Sequence, residues 1–212
     1  MTPRTSRVIA IVPAAGRSRR MGAPKQLAVV GGRPMLLAVI EPLLASRVAG
    51  VVVVTHSLIA ERLGALLGPP ADAPGRIQLV LNDDESSEMI DSVRLGLRSC
   101  HDYDAAYGAA GFLVCPGDQP GIHAADFDAC IAAFERKPDP IVIATHAGRR
   151  GHPLIFPAGD AGFVQSAACD AGLNALPRAF PRRVLAVECG SGAVVQDVDT
   201  PEDLAQGRMS EG

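Results

Sequence analysis

At 212 residues, with 48% hydrophobic and 20% charged side chains, the chain can bury one well-packed core and is too short for two full domains, so a single domain over 1–212 is expected. A formal net charge of −3 excludes the basic excess of a nucleic-acid binder, and no apolar run approaches the roughly 20 residues of a membrane helix. The opening MTPRTSR has no signal-like apolar region, and Cys100, Cys115, Cys130, Cys169 and Cys189 form no CxxC pair; both point to a cytoplasmic protein with reduced thiols rather than a disulfide scaffold or a zinc protein.

Taken in order, the chain alternates. Val8–Pro13 is a continuous apolar run that reads as a doubly buried strand, and Pro34–Ser46 carries apolar residues at helical spacing. Val51–Thr55 is a second strand and Ile59–Leu67 a second helix, followed by the turn-rich GPPADAPG and a third pair, Ile77–Leu81 and Glu88–Cys100. Gly111–Cys115 is a fourth strand, leading through PGDQPG into an amphipathic helix near Ala124–Arg136 and a fifth strand, Ile141–Thr145. This alternation predicts βαβ units, so the expected fold class is α/β, a three-layer Rossmann-like and mostly parallel sheet. After Thr145 the texture changes. AGRRGHPLIFP is broken by Gly and Pro, a helical segment is expected near Gly172–Phe180, and two short strands, Val184–Val187 and Val194–Val198, suggest a small antiparallel addition in the C-terminal third.

The first strand runs straight into AAGRSRRMGAPKQL, a loop of small residues in which Arg17, Arg19, Arg20 and Lys25 crowd together. Small residues after a buried strand let backbone amides meet phosphate. The loop is not a dinucleotide fingerprint, because it reads Gly16-x5-Gly22 and the second strand ends Val54-Thr55-His56 without an acid. Nor is it a Walker loop, because Lys25 stands three residues after Gly22 and precedes Gln26 rather than Ser or Thr.

What AAGRSRRMGAPKQL does resemble is the signature of nucleotidyltransferases with a glycosyltransferase-A-like fold, in particular the MobA/MocA-like branch that attaches nucleoside monophosphates to the molybdenum cofactor. By that resemblance Ala14, Ala15 and Gly16 wrap the triphosphate while Arg20 and Lys25 neutralise it. The chemistry requires them, since the roughly four negative charges of a nucleoside triphosphate need amides and cations close by, and the leaving pyrophosphate needs them more. Nucleotidyl transfer also needs a hard divalent cation held by carboxylates. Asp118, in PGDQP after the fourth strand, and Asp199, in DVDTPEDL, match the family's metal-binding aspartates, with Mg²⁺ or alternatively Mn²⁺ as the implied ion. Asp197 shares a strand face with Asp199 by period two, so its participation stays open.

The resemblance further assigns Asn82 and Ser92, around NDDESSEMIDSVRLGL, to contacts with base and ribose, although Glu88 stands where relatives have Gly and Asp83, Asp84, Glu85 and Asp91 add negative charge. Loops reading AAG resemble the cytidylyltransferases and loops reading AGG the guanylyltransferases, so Ala14-Ala15-Gly16 implies CTP over GTP. GRRGHPLIF resembles the segment bordering the acceptor pocket and places Gly151 and His152 there; in DAGLN the family's closing cation is replaced by Asn174. The implied reaction is transfer of CMP from CTP to the phosphate of molybdopterin cofactor with release of pyrophosphate, and a molybdoenzyme as the downstream partner. Two alternatives remain: the same chemistry with GTP or with a sugar or metabolite phosphate as acceptor, and a non-catalytic molybdenum-cofactor-binding or insertion protein.

Overall fold

The computed structural model describes residues 7–16, 24–67, 76–100, 108–137, 139–198 and 203. The elements come in the order β1 (Val8–Pro13), β2 (Val29–Val30), β3 (Arg33–Pro34), α1 (Met35–Ala45), β4 (Gly50–Thr55), α2 (Ser57–Leu67), β5 (Ile77–Leu81), α3 (Met89–Ser99) and β6 (Gly111–Val114). They continue with α4 (Ala124–Glu135), β7 (Ile141–His146), β8 (Arg149–Pro157), α5 (Ala161–Gln165), α6 (Ala175–Ala179) and β9 (Val184–Glu188).

Why β1 and β4 are apolar throughout is visible in their neighbours. Alternate residues of a strand point to opposite faces. On one face Val8, Ala10, Val12, Val51 and Val53 pack against Leu36, Ile40 and Leu43 of α1, Leu63 of α2 and Phe127 and Ile131 of α4. On the other, Ile9, Ile11, Val52 and Val54 meet Ile90, Val93 and Leu97 of α3, with Val164 and Leu176 from α5 and α6. Both faces are therefore roofed by helices, which gives the three layers expected of a mostly parallel sheet. Helix α3 sits so close that a Cβ at Gly96 would lie 2.7 Å from the Ile11 side chain.

The seven strands lie in the order β5-β4-β1-β6-β8-β7-β9. β5, β4, β1 and β6 are mutually parallel, β8 runs antiparallel to both β6 and β7, and β9 is parallel to β7. The antiparallel component is thus one strand inserted within the sheet, and a separate two-stranded ribbon pairs β2 with β3. Three expectations change. Val184–Val187, expected within an antiparallel addition, lies in β9 and runs parallel to β7. AGRRGHPLIFP, expected as short broken pieces, is mostly the nine-residue β8, because Ala147 and Gly148, at φ 49 and 76, make a tight turn that pairs His146 with Arg149. Val194–Val198, expected as a strand, begins as a 3-10 turn over Gly192–Val195 and continues without regular structure to Val198.

From β1 the chain moves one way, to β4 and β5, and then returns to place β6 on the other side of β1. In such sheets ligands bind beyond the carboxyl ends of the strands where this reversal occurs. The crevice therefore lies between the segments that come after β1 and β6.

The core beneath it rests on a few large side chains. Phe127 is fully buried between α4 and the sheet. Phe127→Ala is expected to lower unfolding free energy by about 3–5 kcal/mol through loss of burial and the cavity left behind, measured by urea titration.

Candidate active site

Pro13 ends β1, and the next three residues are held from beneath. Ala14 N–H donates to the Val54 carbonyl at 2.7 Å, and the Ala14 carbonyl accepts from Thr55 Oγ1 at 3.3 Å and from Gln26 Nε2 at 2.9 Å. The segment after β6 comes against it: Gly117 N–H donates to the Pro13 carbonyl at 3.0 Å, and a Cβ at Gly117 would fall 2.8 Å from that of Ala14. Glycine at 117 is what lets the two segments touch.

That contact sets Asp118 beside the opening loop. Lys25, on the short 3-10 turn Lys25–Leu27, places Nζ 2.7 Å from Asp118 Oδ2, with the two side chains 15% and 26% exposed. Lys25 Nζ also lies 3.4 Å from the Val198 carbonyl, and Val198 N–H donates to the Asp118 carbonyl at 2.9 Å. Gln119 Nε2 donates to Asp197 Oδ1. The end of the irregular C-terminal segment is thereby zipped onto the 116–120 loop, and Asp197 is engaged by Gln119. Arg20 and Asp199 lie outside the described residues, as do Arg17 and Arg19. Asp199 is next in sequence to Val198, whose backbone touches both Asp118 and Lys25.

The C-terminal segment is anchored further back. Asp126 Oδ1, in α4, accepts from Gly190 N–H at 3.1 Å, Ser191 caps the 3-10 turn by accepting from Ala193 N–H at 3.1 Å, and Ser191 Oγ donates to the Gly121 carbonyl at 3.1 Å. Gly151 lies under this turn: a Cβ there would stand 1.7 Å from the Val194 carbonyl, so the backbone of the turn already covers that position. His152 is the next residue of β8, beyond the end of β6. Its Nδ1 is buried without a hydrogen-bond partner among the described residues. Burial pushes the imidazole below its ordinary range, while the charges of Asp197 and then Asp118 pull it back.

Asn82 and Ser92 come together at the same sheet edge but beyond β5. Asn82 Nδ2 donates to Ser87 Oγ at 2.8 Å and to the buried Ser92 Oγ at 3.1 Å, so Ser92 orients Asn82. The acidic residues around them are occupied locally. Asp83 Oδ1 accepts from Ser57 N–H at the start of α2 at 2.8 Å, Asp84 accepts from Ser86, and Glu88 with Asp91 forms the capping box of α3. The hydrogen bonds from Ser86 hold the Asp84 carboxyl below its usual range.

The donors present suit a hard cation. Asp118 presents carboxylate oxygens at an accessible edge, whereas burial first, and the Asp118 and Asp197 charges next, push the buried Cys115 thiol up and deny the site a thiolate. Among the described residues no three His, Cys, Asp or Glu side chains converge on one point, so an ion held by Asp118 would take its other ligands from phosphate, water or residues outside that set.

Residues 10–186 match the model of the MobA-like NTP transferase domain. The chain belongs to this family. The MobA-like chain is 40% identical over 99 residues to the 2-C-methyl-D-erythritol 4-phosphate cytidylyltransferase of Frankia casuarinae, a match covering 45% of this chain and 34% of that protein. It spans half or less of the length of the first three such cytidylyltransferases it matches, at 34%, 46% and 50%. Purine catabolism protein PucB of Bacillus subtilis is 26% identical over 220 residues, covering 98% of this chain and 100% of PucB. Among solved structures, the homologue of Mycobacterium tuberculosis rv0371c from Mycobacterium sp. strain JC1 superposes with a TM-score of 0.77 at 26% identity, covering 98% of both chains.

Gln26 and Gln119, which stand inside AAGRSRRMGAPKQL and PGDQP but carry no role in the sequence analysis, join the site in the structure, and Gln119 brings Asp197 with it. The close approach at Gly151 supplies a test of how the MobA-like site is assembled. Gly151→Ala is expected to force the Val194 carbonyl away, costing about 1–3 kcal/mol of stability by denaturant titration.

Proposed function

We propose that the protein is a divalent-cation-dependent nucleotidyltransferase that moves CMP from CTP to a phosphate oxygen of a phosphorylated acceptor, and that the acceptor is molybdopterin cofactor. The observation that carries this reading is the meeting of Lys25, Asp118 and the 14–16 backbone at the point where the strand order reverses. Membership of the MobA-like family supports the reaction class.

In the reaction, an acceptor phosphate oxygen attacks the α-phosphorus in line, the bond from that phosphorus to the α–β bridging oxygen breaks, and pyrophosphate leaves. The acceptor is already ionised near neutral pH, so no side chain is needed as general base. Backbone amides after β1 and the Lys25 ammonium take the β- and γ-phosphates, with Arg20 as the second cation; their work grows as charge shifts to the leaving group. Asp118 and Asp199 would hold the ion, Mg²⁺ with Mn²⁺ able to replace it, which when bound would neutralise phosphate oxygens and polarise the reacting phosphorus. Lys25 is paired with Asp118 before any ligand binds, and an arriving triphosphate offers Lys25 a stronger anionic partner, which frees the Asp118 carboxylate. Asn82, oriented by Ser92 and Ser87, is assigned to base and ribose, and His152 to the acceptor side.

CTP is supported by Ala14-Ala15-Gly16 and by the cytidylyltransferase names of the partial relatives. Those same relatives favour a second reading in which the acceptor is a small phosphorylated polyol such as 2-C-methyl-D-erythritol 4-phosphate. Incubation with each NTP, Mg²⁺ and either acceptor, with pyrophosphate then measured, separates the two. CTP with molybdenum cofactor is expected to give the fastest release; turnover with the polyol phosphate alone would shift the assignment, and no release with any pair would leave a binding protein. Asp118→Ala is expected to slow release at least about 100-fold and Lys25→Met to lower kcat as well as raise the KM for CTP, by the usual weight of charge stabilisation at such centres. An unchanged rate in Asp118→Ala removes its metal role.

A further inference from the structure

Gln26 lies next to Lys25 on the same short turn, is 3% exposed, and sends its side chain the other way, under the opening loop. Its Nε2 donates to two carbonyls at once, that of Ala14 at 2.9 Å and that of Gly16 at 2.5 Å. Carbonyl oxygens only accept, so the group facing them is the amide NH₂, and both its hydrogens are used. Thr55 Oγ1, fully buried at the end of β4, supplies the second bond to the Ala14 carbonyl.

The consequence is directional. In a trans peptide the N–H points opposite to the C=O. A carbonyl of Ala14 turned inward onto Gln26 and Thr55 therefore aims the N–H of Ala15 outward, away from the core. The turn that carries Gln26 is itself fixed, with Leu27 N–H on the Pro24 carbonyl at 3.1 Å, Ala28 N–H on the Lys25 carbonyl at 3.0 Å, and Met35 N–H on the Ala28 carbonyl at 2.8 Å at the start of α1. One short turn thus sets both the cation at the site and the orientation of the peptide units opposite it.

We infer that Gln26 is a positioning residue for nucleotide binding: it acts through the Ala14 and Gly16 carbonyls to preorganise the backbone donors that receive the triphosphate. The kinetic half of this inference rests on the nucleotidyltransferase reading, while the structural half does not. Holding donors in place before the ligand arrives removes an ordering cost from binding.

The test uses two variants and two measurements. Gln26→Met keeps the volume and the buried contacts but removes the donors; Gln26→Glu keeps the shape but sets a carboxylate against two carbonyls. In the protein without nucleotide, the Ala14 amide, bonded to Val54, is expected to exchange with deuterium about tenfold faster by NMR in Gln26→Met, with the amides of Ile9 and Ile11 unchanged, as expected for local rather than global opening. With Mg²⁺ and CTP, kcat/KM is expected to fall about 10- to 100-fold, chiefly through KM, with Gln26→Glu the worse of the two if it folds. Unchanged exchange at Ala14 overturns the clamp whatever the substrate proves to be. Faster exchange with unchanged kcat/KM overturns the positioning role and leaves Gln26 as a core amide. If wild-type protein turns over no nucleotide, the function reading and the kinetic half fail together, and the exchange result still decides the clamp.

Discussion

The pairing of Lys25 with Asp118 joins parts of the chain 93 residues apart, and most of the candidate site is arranged around that one contact. A partly exposed ion pair of this kind contributes only about 0–1 kcal/mol to stability, so its importance is geometric. It requires the turn after the opening loop to close back on the sheet edge and the 116–120 loop to rise against β1. Gly117, with no side chain to hold Ala14 off, permits the second, and the 3-10 turn over Lys25–Leu27 provides the first. The pair also keeps charges of opposite sign in register before any ligand is present. In the proposed reaction Lys25 turns to phosphate, which leaves the Asp118 carboxylate free as the group that would hold a cation.

The third part of the assembly arrives by a less regular route. From Cys189 to Val198 the chain makes no long strand; it is pinned by Asp126, Ser191 and the close approach of Gly151, and reaches the site with Val198 bonded to the Asp118 carbonyl. A sheet strand would have fixed this segment by its own ladder. Here the ladder is replaced by side chains borrowed from α4 and from the 116–121 loop, so the place of Asp197 and Val198 depends on neighbours rather than on local conformation.

The layers were legible because double burial leaves an unbroken apolar run: Val8–Pro13 and Gly50–Thr55 bury every residue, and the pattern admits little else. Lys25 and Asp118 stood out through the resemblance of AAGRSRRMGAPKQL and PGDQP, and the structure brings the two side chains together. The errors have definite causes. Val194, Val195 and Val198 are β-branched and read as a strand, but Ser191 caps a turn at Gly192 and the fully buried Val194 then packs into the core without strand pairing. The strand β8 was obscured by Gly151 and Pro153, and its signal was the Ala147-Gly148 turn, whose two positive φ values suit a tight hairpin. The acidic run from Asp83 to Asp91 looked hostile to a triphosphate, yet Asp83, Asp84, Glu88 and Asp91 are spent on caps and a turn.

What escaped the sequence most completely was the uncharged polar chemistry. Gln26 and Gln119 have no charge and no metal preference, so although they stand within AAGRSRRMGAPKQL and PGDQP nothing in their chemistry assigned them a role; burial at 3% and 2% does. Each amide spends its NH₂ on the site, Gln26 on the loop carbonyls and Gln119 on Asp197, and each leaves its oxygen buried without a hydrogen-bond partner among the described residues. His152 Nδ1 is in the same condition. Buried polar atoms are normally satisfied, and leaving one unpaired costs about 1–3 kcal/mol. Among the described residues Arg76 Nε and Gln78 Oε1, at the start of β5, share this condition, and the other three such atoms, those of Gln26, Gln119 and His152, belong to the candidate site. Those three atoms set polar groups that still need a partner at the edge that strand order alone singles out for a ligand.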